Sequence, residues 1–213
     1  VEAEQFIEQN KERPFFLYLS YYSVHTPLQA PKERVAKYEK KPKGERHKNA
    51  TYAAMVESVD RSVGRVMARL EKLGLAKNTV VIFTSDNGGH GRITSHQPLR
   101  GNKGNFYEGG IRVPLIVKWP SVIKPDSTCT VPVISTDYYP TLLAMTGQPA
   151  RPKQHMDGRN LLPLLKQTGT VKREALYWHY PNYIGAGHPD GARPCSVIRS
   201  GDWKLIESFE TCL

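Results

Sequence analysis

The chain has 213 residues, of which 39% are hydrophobic and 23% charged, and a formal net charge of +10. That balance suits one or two globular domains, and no uninterrupted apolar run approaches the length of a helical membrane span. The basic excess raises nucleic acid as a partner, but the densest basic stretch, Lys40 to Lys48, has no aromatic residues to stack on bases. It reads as a solvated loop, with an anion-attracting field as its functional alternative. Cys129, Cys195 and Cys212 form no close metal-like pair, and their odd number rules out complete internal pairing. One disulfide stays open, so the redox compartment is undecided.

Residues 1–8 read as the last turns of an amphipathic helix. They carry no initiator Met and no signal segment, which points to a piece of a longer polypeptide. Pro14–Tyr21 is an apolar strand candidate that leads into Ser23-Val24-His25-Thr26-Pro27, so His25 falls just past its carboxyl end. A Pro-rich, basic loop is expected to about Lys48. From Asn49, a reasonable N-cap, the residues Tyr52, Met55, Val59, Val63, Val66 and Leu70 (with Val56 and Leu73) mark one helical face, and Gly74 is placed for a stop. Asn49-Ala50-Thr51 is also a glycosylation sequon, a triplet common by chance.

Thr79–Phe83 is β-branched and apolar, as for a strand buried on both faces, and gives a strand–helix–strand unit with a right-handed crossover. It stops at Ser85-Asp86-Asn87-Gly88-Gly89. Ligands gather beyond the carboxyl ends of strands in open α/β sheets, and hard cations prefer carboxylate and amide oxygens. An Asx-type turn explains the same residues taken alone. Residues 88–112 form a long Gly-rich loop, and Val113–Trp119 is a third strand candidate. Ser135-Thr136-Asp137 is placed to cap a helix to Met145, closed by Gly147. Asp157–Asn160 opens another, and Ser196–Ile206 reads as a hairpin turning at Ser200–Asp202. The expected domains are residues 1–150 and residues 151–213.

His25, the Asp86–Asn87 pair and the loop Leu99–Gly110 then share one sheet edge. Singly, each has a structural explanation. Together they offer a cation site, a proton donor and the fixed charge of Lys103, the parts that stabilise negative charge as an ester bond breaks. His90, His96 and His179 are candidate substrate contacts, although a solvated loop explains the first two and aromatic packing the third. Glu108 and Arg112 read as charge partners within the loop.

Six motifs in order, PFFLYLSYYSVHTP, VVIFTSDNGG, LRGNKGNFYEGGIRVPLIVKWP, STDYYPTLLAMTG, DGRNLLPLL and VIRSGDWKLI, resemble the carboxyl-terminal part of a type I sulfatase, in the alkaline-phosphatase-like superfamily. The resemblance implies an α/β, mixed-sheet sandwich of which this is part, with a smaller C-terminal antiparallel β subdomain. It implies that Asp86 and Asn87 are the later half of a calcium site (magnesium as the alternative), that His25 protonates the leaving oxygen, and that Lys103 holds a sulfate oxygen. Zinc-dependent relatives place Asp-His after this strand, because zinc favours imidazole, so Asn87 favours a sulfate over a phosphate ester. The formylglycine motif, Cys or Ser with Pro or Ala two positions on and Arg four positions on, fits neither Cys129, which lacks the Arg, nor Cys195, which lacks the Pro or Ala. That nucleophile is expected in a missing N-terminal half, and this piece alone is expected to be inactive. The implied substrate is a sulfated carbohydrate or aryl sulfate, with no nucleic acid, in the periplasm, outside the cell or in the lysosome. A phosphodiesterase or phosphonate hydrolase, and a pseudoenzyme binding sulfated glycans, are the alternatives.

Overall fold

The computed structural model describes residues 1–183 and 193–210. They fall into two compact units, Val1–Val117 and Lys118–Leu213.

In the first unit, the long helix α3 (Ala50–Lys72) forms where the apolar spacing predicts it. The Asn49 side chain accepts the Tyr52 amide at 2.9 Å, satisfying one of the amides that every helix start leaves orphaned. Gly74, at φ +70°, takes the left-handed turn that ends it. Helix α1 (Glu2–Gln9) lies on α3 through Ile7, which with Leu70 and Ala76 makes the buried centre. Glu4 and Glu8 pair with Arg65 and Arg69 along the same contact. Helix α2 (Lys32–Glu39) occupies part of what the sequence suggests is loop. It buries no residue and is held on α3 by polar side chains instead: Arg34 donates to Ser58 at 2.6 Å and Lys37 to Glu57 at 2.8 Å.

The expected strand over Pro14–Tyr21 does not form among the described residues. The segment keeps a strand's alternation: Phe15 and Leu17 pack on the helical core, while Phe16 and Tyr18 are 69% and 81% exposed. No neighbouring backbone offers it a ladder, and a strand is defined by its ladder. The strand–helix–strand unit is therefore incomplete. β1 (Val81–Thr84) instead pairs with β2 (Leu115–Lys118) in a two-stranded sheet. Ile82 and Phe83 stay exposed, so β1 is not buried on both faces as its composition predicts. Val56, expected on the buried face of α3, is exposed as well.

The second unit is built round an acid. Asp137 ends a short 3-10 turn before α5 (Tyr138–Met145) and is fully buried. Its carboxylate does not cap α5. It turns back to accept the Ile134 amide at 3.0 Å and the Arg159 amide at 2.8 Å, and both of its oxygens meet Arg173. Thr141 donates to the Asp137 carbonyl and accepts the Leu161 amide, which docks α6 (Leu162–Leu165) against α5. Three strands follow, β3 (Leu176–Tyr180), β4 (Cys195–Ser200) and β5 (Trp203–Ser208), paired antiparallel in that order. The β4–β5 hairpin pairs Ser200 with Trp203, with Gly201 at φ +54° in the two-residue turn the sequence marks. The smaller C-terminal antiparallel sheet is thus present. β3 has no counterpart among the strands expected from sequence. Cys129 and Cys195 are free thiols, and Cys212 lies outside the described residues.

Candidate active site

The candidate site grows from the carboxyl end of β1. Thr84 Oγ1 donates to the Pro114 carbonyl at 2.9 Å, and the backbone bends at Asp86 and Asn87. Ser85 Oγ donates to the Asn87 carbonyl at 3.1 Å. It reaches the Asp86 carboxylate only at 3.5 Å, the outer limit of a hydrogen bond. Asp86 is exposed and Asn87 half-buried, so the turn holds its shape without consuming the acid.

Glycines then let a second loop close on this turn. The Gly88 amide donates to the Gly110 carbonyl at 2.9 Å, and a Cβ on Gly88 would fall 1.9 Å from the Gly109 oxygen. One on Gly110 would fall 1.9 Å from the Asn105 oxygen. Only bare backbones approach so closely. Lys103 sits between Gly101 (φ +83°) and Gly104 (φ +99°), and its amide donates to the Gly89 carbonyl at 3.0 Å. Backbone bonds, rather than side chains, therefore bring Lys103 to the Asp86–Asn87 turn. Its ammonium makes no ion pair or hydrogen bond among the described residues. At the loop's far end, the Arg100 guanidinium lies 3.9 Å over the Tyr107 ring, and Glu108 pairs with Arg112 at 3.8 Å, as their spacing suggests.

His25 is exposed and braced locally. Its amide donates to the Tyr22 carbonyl, and Nδ1 lies 2.8 Å from the Thr26 carbonyl, an acceptor only. Nδ1 therefore carries the hydrogen of the neutral ring, and Nε2 has no partner among the described residues. The hydrogen bonds and ring contact of His25 all lie within residues 22–26.

The other histidines divide. His96 Nε2 accepts the Gly89 amide at 2.7 Å, so the ring is neutral at that nitrogen and fastens the loop. Burial, then the nearby His47, holds it below the ordinary histidine pKa. His90 is exposed, with its ring 3.3 Å from the Arg92 amide. His179 belongs to the second unit, where Nδ1 lies 3.1 Å from Ser196 Oγ and the ring meets Phe209. It lines a cleft of about 710 Å³ with Arg159, Arg173, Trp178 and Glu207. Arg46 and His47 carry no role in the sequence reading, yet they reach the 90–97 loop: Arg46 donates to the Gln97 carbonyl at 3.3 Å and His47 Nδ1 lies 3.1 Å from Thr94 Oγ1. No short-range spacing could have signalled contacts across some fifty residues.

The donor set suits a hard cation in part. Asp86 and Asn87 offer oxygens, whereas calcium takes 6–8 oxygen ligands. Among the described residues no three His, Cys, Asp or Glu side chains converge on one point. Neither Cys129, exposed in a loop, nor Cys195, buried in β4, lies in a formylglycine motif.

Comparison with known proteins assigns the fold first. The chain superposes with a TM-score of 0.83 and 34% identity on the crystal structure of Ps i-CgsB in complex with k-i-k-neocarrahexaose, over 99% of this chain and 45% of that one. This is the alkaline-phosphatase-like fold of the sulfatases. The chain belongs to the sulfatase family: the Sulfatase family matches residues 1–148, and the family N-sulphoglucosamine sulphohydrolase, C-terminal, matches residues 101–212. It is 42% identical to a sulfatase of Formosa agariphila over 93% of its length, and 37% identical to human steryl-sulfatase over 90%. It spans only 39% and 33% of those relatives. A phosphonate monoester hydrolase from Silicibacter pomeroyi is similar at a greater distance, with a TM-score of 0.58 and 26% identity over 75% of the chain.

Proposed function

We propose that the chain is the carboxyl-terminal portion of a sulfuric ester hydrolase that splits a sulfate ester of a carbohydrate or aryl alcohol into alcohol and sulfate. The observation that carries this reading is the bond from the Lys103 amide to the Gly89 carbonyl, which fixes an ion-pair-free lysine beside an Asp–Asn oxygen pair at a strand end. Residues 1–150 are read as part of the catalytic domain, and residues 151–213 as the start of a smaller subdomain. The compartment is periplasmic, extracellular or lysosomal.

Asp86 and Asn87 would hold part of the shell of one calcium ion, with magnesium as the alternative. When bound, the ion would supply positive charge that stabilises the sulfate as the ester breaks. Lys103 draws another sulfate oxygen and opposes the charge that develops there. His25, its Nδ1–H pinned to Thr26, delivers a proton from Nε2 to the departing alcohol oxygen. The nucleophile in this reading is a formylglycine, whose motif neither Cys129 nor Cys195 fits, so the 213 residues alone should not turn over a sulfate ester.

In the intact protein, His25→Ala should lower kcat on an alkyl sulfate by roughly 10²–10⁴-fold. The loss should be smaller on 4-nitrophenyl sulfate, whose alcohol needs no proton to leave. Equal losses on both substrates would remove His25 from the leaving-group side. The more distant likeness to a phosphonate monoester hydrolase supports a second reading, in which a phosphonate or phosphate diester is cleaved. Faster turnover of 4-nitrophenyl phenylphosphonate, a phosphonate monoester, than of any sulfate ester would install that reading, against the oxygen donor at Asn87.

A further inference from the structure

Resting on the sulfatase reading, we infer that residues 40–48 form a basic subsite for a polysulfated chain, binding sulfates beyond the one that is cleaved. Residues 40–49 are exposed throughout, and between α2 and α3 they form no regular structure. Residues 40–48 carry five Lys or Arg against Glu45 alone. Left free, such a loop would be an ordinary solvated surface. It is not left free. Arg46 and His47 bond it to Gln97 and Thr94 of the candidate-site loop. His96, between those anchors, bonds to Gly89, and the Gly89 carbonyl holds Lys103. The basic loop is thereby tied to the rim of the proposed sulfate site through successive short contacts.

The rim carries the same sign. Residues 87–107 contain Arg92, Arg100 and Lys103 and no acid, and Arg92 is exposed. Lys43 and Lys48 make no ion pair among the described residues. Lys41 lies 5.1 Å from the Tyr38 ring, a contact that leaves its charge available to a ligand. Point charges on flexible stems suit sulfate groups spaced along a polymer, since they need no fixed geometry. A monosulfated aryl alcohol has nothing to place there. Attraction of this kind concentrates an anionic substrate at the site and weakens with salt.

The test uses the intact protein and a variant with Lys40, Lys41, Lys43 and Lys48 all changed to Gln, which spares the anchors Arg46 and His47. Binding of a fluorescent carrageenan hexasaccharide carrying several sulfates should weaken by roughly tenfold, the sum of four exposed charge contacts. The steepness with which salt weakens binding should fall with it. The kcat on saturating 4-nitrophenyl sulfate should stay unchanged. Unaltered hexasaccharide affinity and salt dependence in the variant would overturn the inference. If the intact protein binds the hexasaccharide through these lysines but cleaves no sulfate ester, the sulfatase reading fails and the subsite stands.

Discussion

Two aspartates, one in each unit of the chain, show how differently an acid can be used. Asp137 is fully buried, and its oxygens accept two amides and a guanidinium. Asp86 is exposed at a strand end and, among the described residues, receives only a 3.5 Å contact from a neighbouring serine. A charge taken out of water must be matched in full by the protein, so Asp137 has nothing left for a ligand. Asp86 leaves its lone pairs to solvent, as the proposed cation site requires. The contrast separates an acid that holds the fold from one that the fold does not use.

Substitution tests that contrast most strongly at Asp137. Changing Asp137→Ala strands Arg173 beside two orphaned amides and should cost about 3–5 kcal/mol, a fall of roughly 10 °C in Tm. Asp86→Ala should leave the unfolding midpoint where it is and abolish whatever calcium affinity the intact protein shows by calorimetry. Equal thermal shifts in the two variants would erase the distinction. Replacing Asp137 and Arg173 together by Leu and Met should recover only the part of the loss due to the unpaired guanidinium, because the Ile134 and Arg159 amides stay orphaned.

Glycines sharpen the comparison at the next level. Gly110→Ala drives a methyl into the Asn105 carbonyl and should cost about 1–3 kcal/mol, with a further loss of turnover as the Lys103 loop moves. Gly64, inside α3, should behave oppositely, because a methyl added there meets no atom within 4 Å. Gly64→Ala should stabilise by about 0.5–1 kcal/mol in urea unfolding, with turnover untouched.

The smallest effect is a pH dependence. His96 has its pKa lowered in the folded state, so the unfolded chain binds its proton more readily. The stabilising share of the neutral ring is complete above the ordinary value of 6.5 and is lost as pH falls from there through the folded value. Protonated Nε2 cannot accept the Gly89 amide. The protection of that amide, its exchange rate set against the intrinsic rate at each pH, should fall as pH drops through the folded value, which lies below 6.5, and show no such step in His96→Ala. A flat profile would mean the bond is not formed in solution.

Features set by local chemistry were legible in the sequence. Asn49 and Gly74 bound α3 because caps and stops act within a turn of the chain, and Gly201 turns the β4–β5 hairpin for the same reason. Features set by distant partners were not. Pro14–Tyr21 has the composition and alternation of a strand, but a ladder needs a second backbone. α2 escapes notice because it buries no apolar residue and its support comes from Ser58 and Glu57. Asp137 looks like a helix cap from its position, while its partners Arg159 and Arg173 lie 22 and 36 residues away. At the candidate site, the oxygen pair and the lysine could be picked out by motif. That His96 serves as a backbone acceptor could not, since it depends on how near Gly89 comes.

The two described thiols differ in a way that supplies a built-in clock. Cys129 stands in water, whereas Cys195 begins β4 inside the C-terminal sheet, where burial pushes its thiol pKa up. A thiol reagent attacks the thiolate, so Cys129 should be labelled at once and Cys195 only when the sheet opens. In a Cys212→Ser variant, the slow phase then counts openings of β3–β5.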